Sequence, residues 1–222
     1  MTARAKIFSA IRDGLATPRQ SPDVIAAAAA ALLNAPDTTR PRLVAETLPD
    51  SFAVKALALG TTLDYVTSMA DVPRAVRRYL DGHTLPFWVA LQSVPEFMGL
   101  NWSQLHPHNK LASDETAAVG LAEWGIAESG SLVVHSGQNT PIMLSFLPMH
   151  HIIVLRENTI LPYLEDYAAT LSGSAIPRNV VLITGPSGTT DIEGSYVRGA
   201  HGPGFLHVII LVVDPDDRGA GI

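Results

Sequence analysis

The sequence predicts a layered α/β domain with a mostly parallel central sheet flanked by helices and preceded by a helical arm. Short runs rich in Val, Ile and Leu alternate with segments whose apolar residues recur at helical spacing. Several of these runs are apolar at every position, as expected for parallel strands that are buried on both faces. The chain has 222 residues, 47% of them apolar, which is enough for one such domain.

The first segment, residues 1–35, is expected to be a helical arm that packs on the core or on another subunit. The apolar residues of Ile7–Leu15 would share one helical face, and Pro22 opens an alanine-rich run with high helix propensity. Residues 36–49 contain three prolines and predict a linker. Residues 50–222 are then the α/β domain.

Within this domain, the order of elements follows from the apolar periodicity and from glycine and proline breakers. A helix, a strand, a second helix capped by Asp71, a second strand and a short helix are expected at 51–59, 63–67, 71–80, 87–91 and 94–100. Later strands of the central sheet are expected at 131–135, 151–155, 180–184 and 207–213, with a helix over 159–172.

The chain contains no cysteine. This excludes disulfides, thiolate zinc sites, thiol nucleophiles and cysteine-held iron–sulfur clusters, and it is typical of a cytoplasmic protein. Residues 1–15 carry four charged side chains instead of an apolar core, so no signal peptide is expected. The longest apolar run, residues 24–33, is too short to cross a bilayer, so no membrane span is expected.

Charge is distributed unevenly along the chain. Residues 1–100 carry a net charge of +1, whereas residues 101–222 carry five basic and twelve acidic side chains. Nucleic acids are bound through clustered Lys and Arg, so no nucleic-acid partner is expected. The three arginines at positions 74, 77 and 78 share one helical face, which is typical of a solvated surface.

The first segment that could carry chemistry is 123–131, which contains Glu128, Ser129 and Gly130 directly before a buried strand. A carboxylate beside small residues at the mouth of a sheet is a candidate nucleophile or general base, because glycines let a ligand approach the backbone. Alternatively, Glu128 and Ser129 only satisfy backbone groups at a turn.

The second segment, 184–194, follows a strand and is expected to precede a short helix that ends at Arg198. Ligands of open α/β sheets bind at the carboxyl ends of strands, beside helix N-termini. The candidate ligand-binding residues here are Thr184, Gly185, Pro186, Ser187, Gly188, Thr189 and Asp191. The glycine spacing matches neither a Walker loop nor a dinucleotide-binding motif. Thr190 and Glu193 fit a capping box, which would make their role structural.

The third segment, 199–204, places His201 on a loop of glycine and proline ahead of a buried strand. His201 could donate a hydrogen bond to a carboxylate or act as an acid or base, or it could stabilise its loop. His150 and His151 are expected to point to opposite faces of a strand. No zinc-binding spacing is present, so no metal is expected.

Together these segments resemble the LUD-domain family, and within it the lactate-utilization protein C branch. The resemblance is carried by four motifs in one order: Gly125–Val133, Phe146–Ile152, Ile183–Glu193 and Gly199–Pro203. It covers about residues 45–214 and is strongest from residue 119 onward.

The resemblance implies a CoA-transferase/ribose-5-phosphate-isomerase-like fold, which glucosamine-6-phosphate deaminase shares. It also implies a place in bacterial oxidation of L-lactate to pyruvate, beside partner subunits that hold iron–sulfur clusters. The absence of cysteine agrees with this division of labour. Many members carry a basic residue where this chain has Gly188 and Gly204. Both departures argue against charge-assisted binding at these positions.

The leading hypothesis is an accessory subunit of a cytoplasmic lactate-oxidising system, with no cofactor of its own. It would bind iron–sulfur partner subunits, or a small hydroxy or keto acid through backbone N–H groups of 185–190 with help from Ser187, Thr189 and His201. A free-standing CoA-transferase-like or phosphosugar-handling enzyme that uses Glu128 is the alternative by fold analogy. A third hypothesis is a scaffold without ligand chemistry. A ligand site would require 128–131, 185–190 and His201 to converge at the carboxyl ends of strands.

Overall fold

The computed structural model describes residues 2–15, 20–35, 37, 40–171, 176–190 and 193–212. The chain divides into two compact units, Met1–Arg42 and Leu43–Ile222. The first unit contains the helices α1 (Ala3–Gly14) and α2 (Pro22–Asn34), and both were predicted. The hydroxyls of Thr2 and Ser21 accept hydrogen bonds from N–H groups in the first turns of these helices.

The second unit is built from helices and strands that alternate along the chain. Its helices are α3 (Leu48–Ala58), α4 (Val72–Gly82), α5 (Pro95–Met98) and α6 (Leu164–Thr170). Its strands are β1 (Thr62–Val66), β2 (Trp88–Leu91), β3 (His106–His108), β4 (Ala117–Leu121), β5 (Trp124–Ile126), β6 (Ser131–His135), β7 (His150–Arg156), β8 (Ile160–Leu161), β9 (Val180–Ile183), β10 (Gly188–Thr190), β11 (Tyr196–Arg198) and β12 (Phe205–Leu211). Among the described helices, none is long and apolar enough to cross a membrane.

Six strands form the main sheet in the order β1-β12-β7-β4-β2-β3, and every neighbouring pair is parallel. This confirms the predicted α/β class. On one face, Ile152 of β7 packs in a core with Leu80 of α4. On the other face, the next residue of β7, Ile153, packs with Phe52 of α3 and Leu132 of β6. The main sheet is therefore covered on both faces, as its continuously apolar strands require.

The strands predicted at 131–135 and 180–184 form, but the prediction that they belong to the central parallel sheet was wrong. They are β6 and β9, which lie in a separate four-stranded sheet of order β8-β5-β6-β9. β6 runs antiparallel to both β5 and β9. The short connection between β5 and β6, residues 127–130, accounts for the first pairing, because so short a turn joins only antiparallel strands.

Two local predictions also differ from the structure. The helix expected over 159–172 is shortened to α6. Ile160 and Leu161 pair with β5 instead, and helical conformation at Leu161 is disfavoured because Pro162 follows it. Asp71 stands at the N-cap of α4 but makes no cap hydrogen bond. Its own backbone is already helical, and its carboxylate accepts a hydrogen bond from Arg74 instead.

The short helix expected to end at Arg198 is absent from the described residues of that segment. β10 and β11 form an antiparallel ribbon there, with Thr190 paired to Tyr196. Gly194, at φ +84°, adopts a turn conformation that favours glycine. The capping box expected from Thr190 and Glu193 was therefore wrong, because Thr190 lies in a strand and the described residues 193–198 contain no helix.

Candidate functional site

Glu128, Ser129 and Gly130 lie in the turn between β5 and β6. Glu128 is half-buried, and its Oε1 accepts a hydrogen bond of 2.8 Å from the Leu164 N–H at the start of α6. Gly130 has φ +69°, and a Cβ there would lie 2.5 Å from the backbone nitrogen of Ala56 on α3. Gly130 therefore permits close packing of the turn on α3, and Glu128 satisfies a backbone group at the start of α6.

A chain of three hydroxyls joins this turn to the second predicted segment. Ser129 Oγ and Ser131 Oγ are 2.7 Å apart, and Ser131 Oγ is 2.7 Å from Thr184 Oγ1. The contact arises because β6 and β9 are antiparallel, which places the amino end of β6 beside the carboxyl end of β9. Since Thr184 is exposed, this chain of hydroxyls extends from the turn to the surface.

Backbone groups in the loop after β9 are hydrogen-bonded to other parts of the protein. The Ser187 N–H donates to the Pro203 carbonyl at 2.8 Å, and the Ser187 carbonyl accepts from the Gly199 N–H at 2.9 Å. These bonds bring the second and third predicted segments together. The Ser187 N–H is among the groups predicted to bind a ligand. It is not available for that role, because it is already hydrogen-bonded to Pro203.

The other loop residues also have structural neighbours. Gly185 has φ +77° and a Cβ there would lie 3.0 Å from Leu59 Cβ. A Cβ on Gly60 would lie 4.0 Å from Pro186 Cγ. A Cβ on Gly188 would overlap the hydroxyl of Tyr196, and Thr189 pairs with Val197 in the β10–β11 ribbon. The predicted ligand residue Asp191 lies outside the described residues.

His201 is exposed, and within the described residues it has no hydrogen-bond partner. Its neighbour Gly202 packs against Ser187, since a Cβ on Gly202 would lie 3.4 Å from Ser187 Cβ. The segment of His201 precedes β12, so it lies at the amino edge of the main sheet. The sequence predicts that the candidate segments meet at the carboxyl ends of strands, whereas they meet at the amino edge of the main sheet. The reason is that the loop after β9 lies beside the amino ends of β1 and β12.

Sequence reasoning missed a cluster of aromatic and histidine side chains at this amino edge, on the α4 face of the sheet. Tyr79 Oη and His150 Nδ1 are hydrogen-bonded at 3.0 Å. The ring of His207 stacks on Tyr79 with centroids 4.3 Å apart, and its Nδ1 is hydrogen-bonded to Thr62 Oγ1 at 2.8 Å. All three rings of this cluster are buried.

The cluster reaches the surface through Phe205. The Phe205 ring stacks on His150 with centroids 4.3 Å apart, and the guanidinium carbon of Arg198 lies 5.0 Å from the Phe205 centroid. The exposed His83 ring lies 4.2 Å from that of Tyr79. The signal that could have found the cluster is the occurrence of His150 and His207 at the amino ends of otherwise apolar strands.

Burial keeps these imidazoles neutral. It lowers the pKa of His150 to about 4, with a further contribution from nearby His83, and it lowers the pKa of His207 to about 4. Burial also raises the pKa of Tyr79 to about 12. The imidazoles of His150 and His207 can therefore donate or accept hydrogen bonds, but they carry no positive charge at neutral pH.

His151 lies on the other face of β7, as predicted. Its Nε2 would lie 3.3 Å from a Cβ on Gly120, and its pKa is lowered to about 4 by complete burial. Within the described part of the chain, no group of three or more histidine and acidic side chains could hold a metal ion.

The overall fold is similar to that of a known structure. The crystal structure of a DUF162 family protein from Deinococcus radiodurans superposes with a TM-score of 0.52 at 18% identity, over 75% of this chain and 96% of that chain. This similarity supports the fold. Residues 109–211, which span β4 to β12, match the LUD domain family model.

Three relatives show the extent of sequence similarity. "Uncharacterized protein YkgG" of Escherichia coli (strain K12) is 34% identical over 120 residues, 51% of each chain. Lactate utilization protein C of Geobacillus sp. (strain WCH70) is 38% identical over 107 residues, 45% of this chain and 44% of that protein. The same-named protein of Geobacillus kaustophilus is 30% identical over 151 residues, 65% of this chain and 61% of that protein. This chain thus matches about half of the first two relatives.

Proposed function

We propose that this chain acts in bacterial lactate utilization as an accessory, cytoplasmic subunit. The observation that carries the proposal is the 30–38% identity of its LUD-domain region to proteins named lactate utilization protein C. The aligned regions span less than two thirds of those relatives, so activity, ligand and partners are all part of the proposal.

In its finer form, the chain binds a small hydroxy or keto acid and associates with iron–sulfur subunits that oxidise L-lactate to pyruvate. Support for separate iron–sulfur subunits comes from the absence of cysteine, because cysteine thiolates hold most such clusters. Support for an acid ligand comes from the similarity to proteins named for lactate utilization.

The test is growth of a strain that lacks the gene. We expect it to fail on L-lactate as sole carbon source, to grow normally on pyruvate, and to recover when the full chain is restored. Affinity purification of the tagged chain from lactate-grown cells should then yield cysteine-rich iron–sulfur proteins. Normal growth of the deletion strain on L-lactate would overturn the proposal. So would transfer of CoA from an acyl-CoA to a second carboxylic acid by the purified chain alone, if Glu128→Gln abolished it.

A further inference from the structure

A cavity of about 530 Å³ lies at the far end of the β6–β9 pair, away from the loops discussed above. The ladder continues past both strands, since the Ser136 N–H donates to the Asn179 carbonyl at 3.0 Å. The cavity is lined by Ser136, Thr140, Pro141, Ile142, Arg178 and Asn179.

The two hydroxyls in this cavity are placed to donate. Ser136 Oγ accepts hydrogen bonds from Asn179, from its N–H at 3.0 Å and from Nδ2 at 3.4 Å. With its oxygen used as an acceptor twice, the Ser136 hydroxyl can only donate to a further partner.

Thr140 is fixed in a similar way. Its Oγ1 accepts from Gln92 Nε2 at 2.8 Å, and Gln92 Oε1 in turn accepts from the Leu121 N–H at 2.6 Å. Because Gln92 is buried and bonded at both ends, its amide orientation is set, and the Thr140 hydrogen is available to a bound molecule.

The charge of the cavity is positive. Within the described ranges, no acidic side chain lines the cavity and no carboxylate pairs with Arg178. Three other arginines of the same unit are paired with carboxylates: Arg74 with Asp71, Arg78 with Asp64 and Arg156 with Glu96. Residues 101–222 contain twelve acidic and only five basic side chains, so Arg178 is one of the few positive charges in this part of the chain.

We propose that this cavity binds the carboxylate of a short organic acid of the 2-hydroxy or 2-keto class. Arg178 would pair with the carboxylate, the hydroxyls of Ser136 and Thr140 would donate to its oxygens, and Pro141 and Ile142 would contact its alkyl group. The choice of acid rests on the proposed function, whereas the choice of an anion rests on the cavity alone.

The position of the cavity agrees with this assignment. Gln92 directly follows β2, and Leu121 ends β4, so Thr140 is attached to the carboxyl edge of the main sheet. This is the edge at which ligands of open α/β sheets bind. The loops predicted from sequence lie at the opposite edge.

The test is calorimetric titration of the full chain with pyruvate, with L-lactate and with the neutral analogue lactamide at constant ionic strength. At least one acid should bind and lactamide should not. Arg178→Gln should weaken binding of that acid by about tenfold to a hundredfold, because it removes a charge-assisted hydrogen bond. Ser136→Ala should weaken it by less, within about tenfold.

Arg198→Gln is the matched control, because it removes the same charge from an exposed arginine over Phe205. It should leave the affinity within twofold. Absence of binding by either acid, equal binding of lactamide, or equal losses for Arg178→Gln and Arg198→Gln would each overturn the proposal. Growth separates the two claims: failure of the deletion strain on L-lactate with full rescue by the Arg178→Gln chain would refute this site alone. Normal growth of the deletion strain, with specific acid binding intact, would refute only the lactate role.

Discussion

Acidification should unfold this protein well above the pH at which its carboxylates titrate. The reason is that His150, His151 and His207 are buried with a folded-state pKa of about 4 each. In the unfolded chain a histidine has a pKa of about 6.5. Between pH 6.5 and 4 the unfolded state therefore binds more protons than the folded state, and the free energy of unfolding falls as the pH drops through this range.

The size of the effect follows from these pKa values. At pH 5, each histidine is almost fully protonated when unfolded and about one-tenth protonated when folded. The cost relative to pH 8 is about 2 kcal/mol per histidine, or about 6 kcal/mol for the three. Since small proteins are stable by about 5–15 kcal/mol, this loss is large enough to unfold a marginal domain.

Urea denaturation followed by tryptophan fluorescence, at pH values between 8 and 5, measures the effect. The slope of unfolding free energy with pH near 5 should correspond to about two to three protons taken up on unfolding. His207→Gln should reduce that number by about one, and the exposed His201→Gln should leave it unchanged. A urea midpoint that stays constant from pH 8 to 5, or an equal slope in His207→Gln, would refute the reasoning.

Three further predictions concern packing, the hydroxyl chain and the absence of cysteine. Gly130→Ala should destabilise the domain by roughly 3 kcal/mol, since its Cβ would meet the Ala56 nitrogen at 2.5 Å and φ is +69°. Gly137→Ala, which meets no atom within 4 Å, should leave the melting temperature nearly unchanged. Thr184→Val should cost about 1 kcal/mol in chemical denaturation by breaking the contact with Ser131, whereas an unchanged midpoint would show that water replaces it. The purified native chain should show no visible absorbance band, and a flavin or iron–sulfur spectrum would contradict this.

Several features of the fold could be predicted because they depend on the residue pattern within a short stretch of chain. The apolar run of β12, the helical spacing of α4 and the alanine-rich α2 each identify an element without reference to the rest of the molecule. The β10–β11 ribbon could not be predicted, because Thr190 and Glu193 match a helix-capping pattern equally well. Pairing between Thr190 and Tyr196 across the turn decided between the two structures.

The candidate sites divide in the same way. By itself the sequence identified the turn at Glu128, the loop after β9 and the segment of His201, because glycine, serine and histidine at strand ends are visible in the chain. Which of them meet depended on strand direction, and the antiparallel β6 and β9 joined Ser131 to Thr184 across 53 positions. The same pairing placed Ser136 beside Asn179, and the packing of α4 on the parallel sheet placed Tyr79 beside His150 across 71 positions. Such contacts bring together residues with no shared local pattern, so only the tertiary structure could decide them, through sheet order and burial.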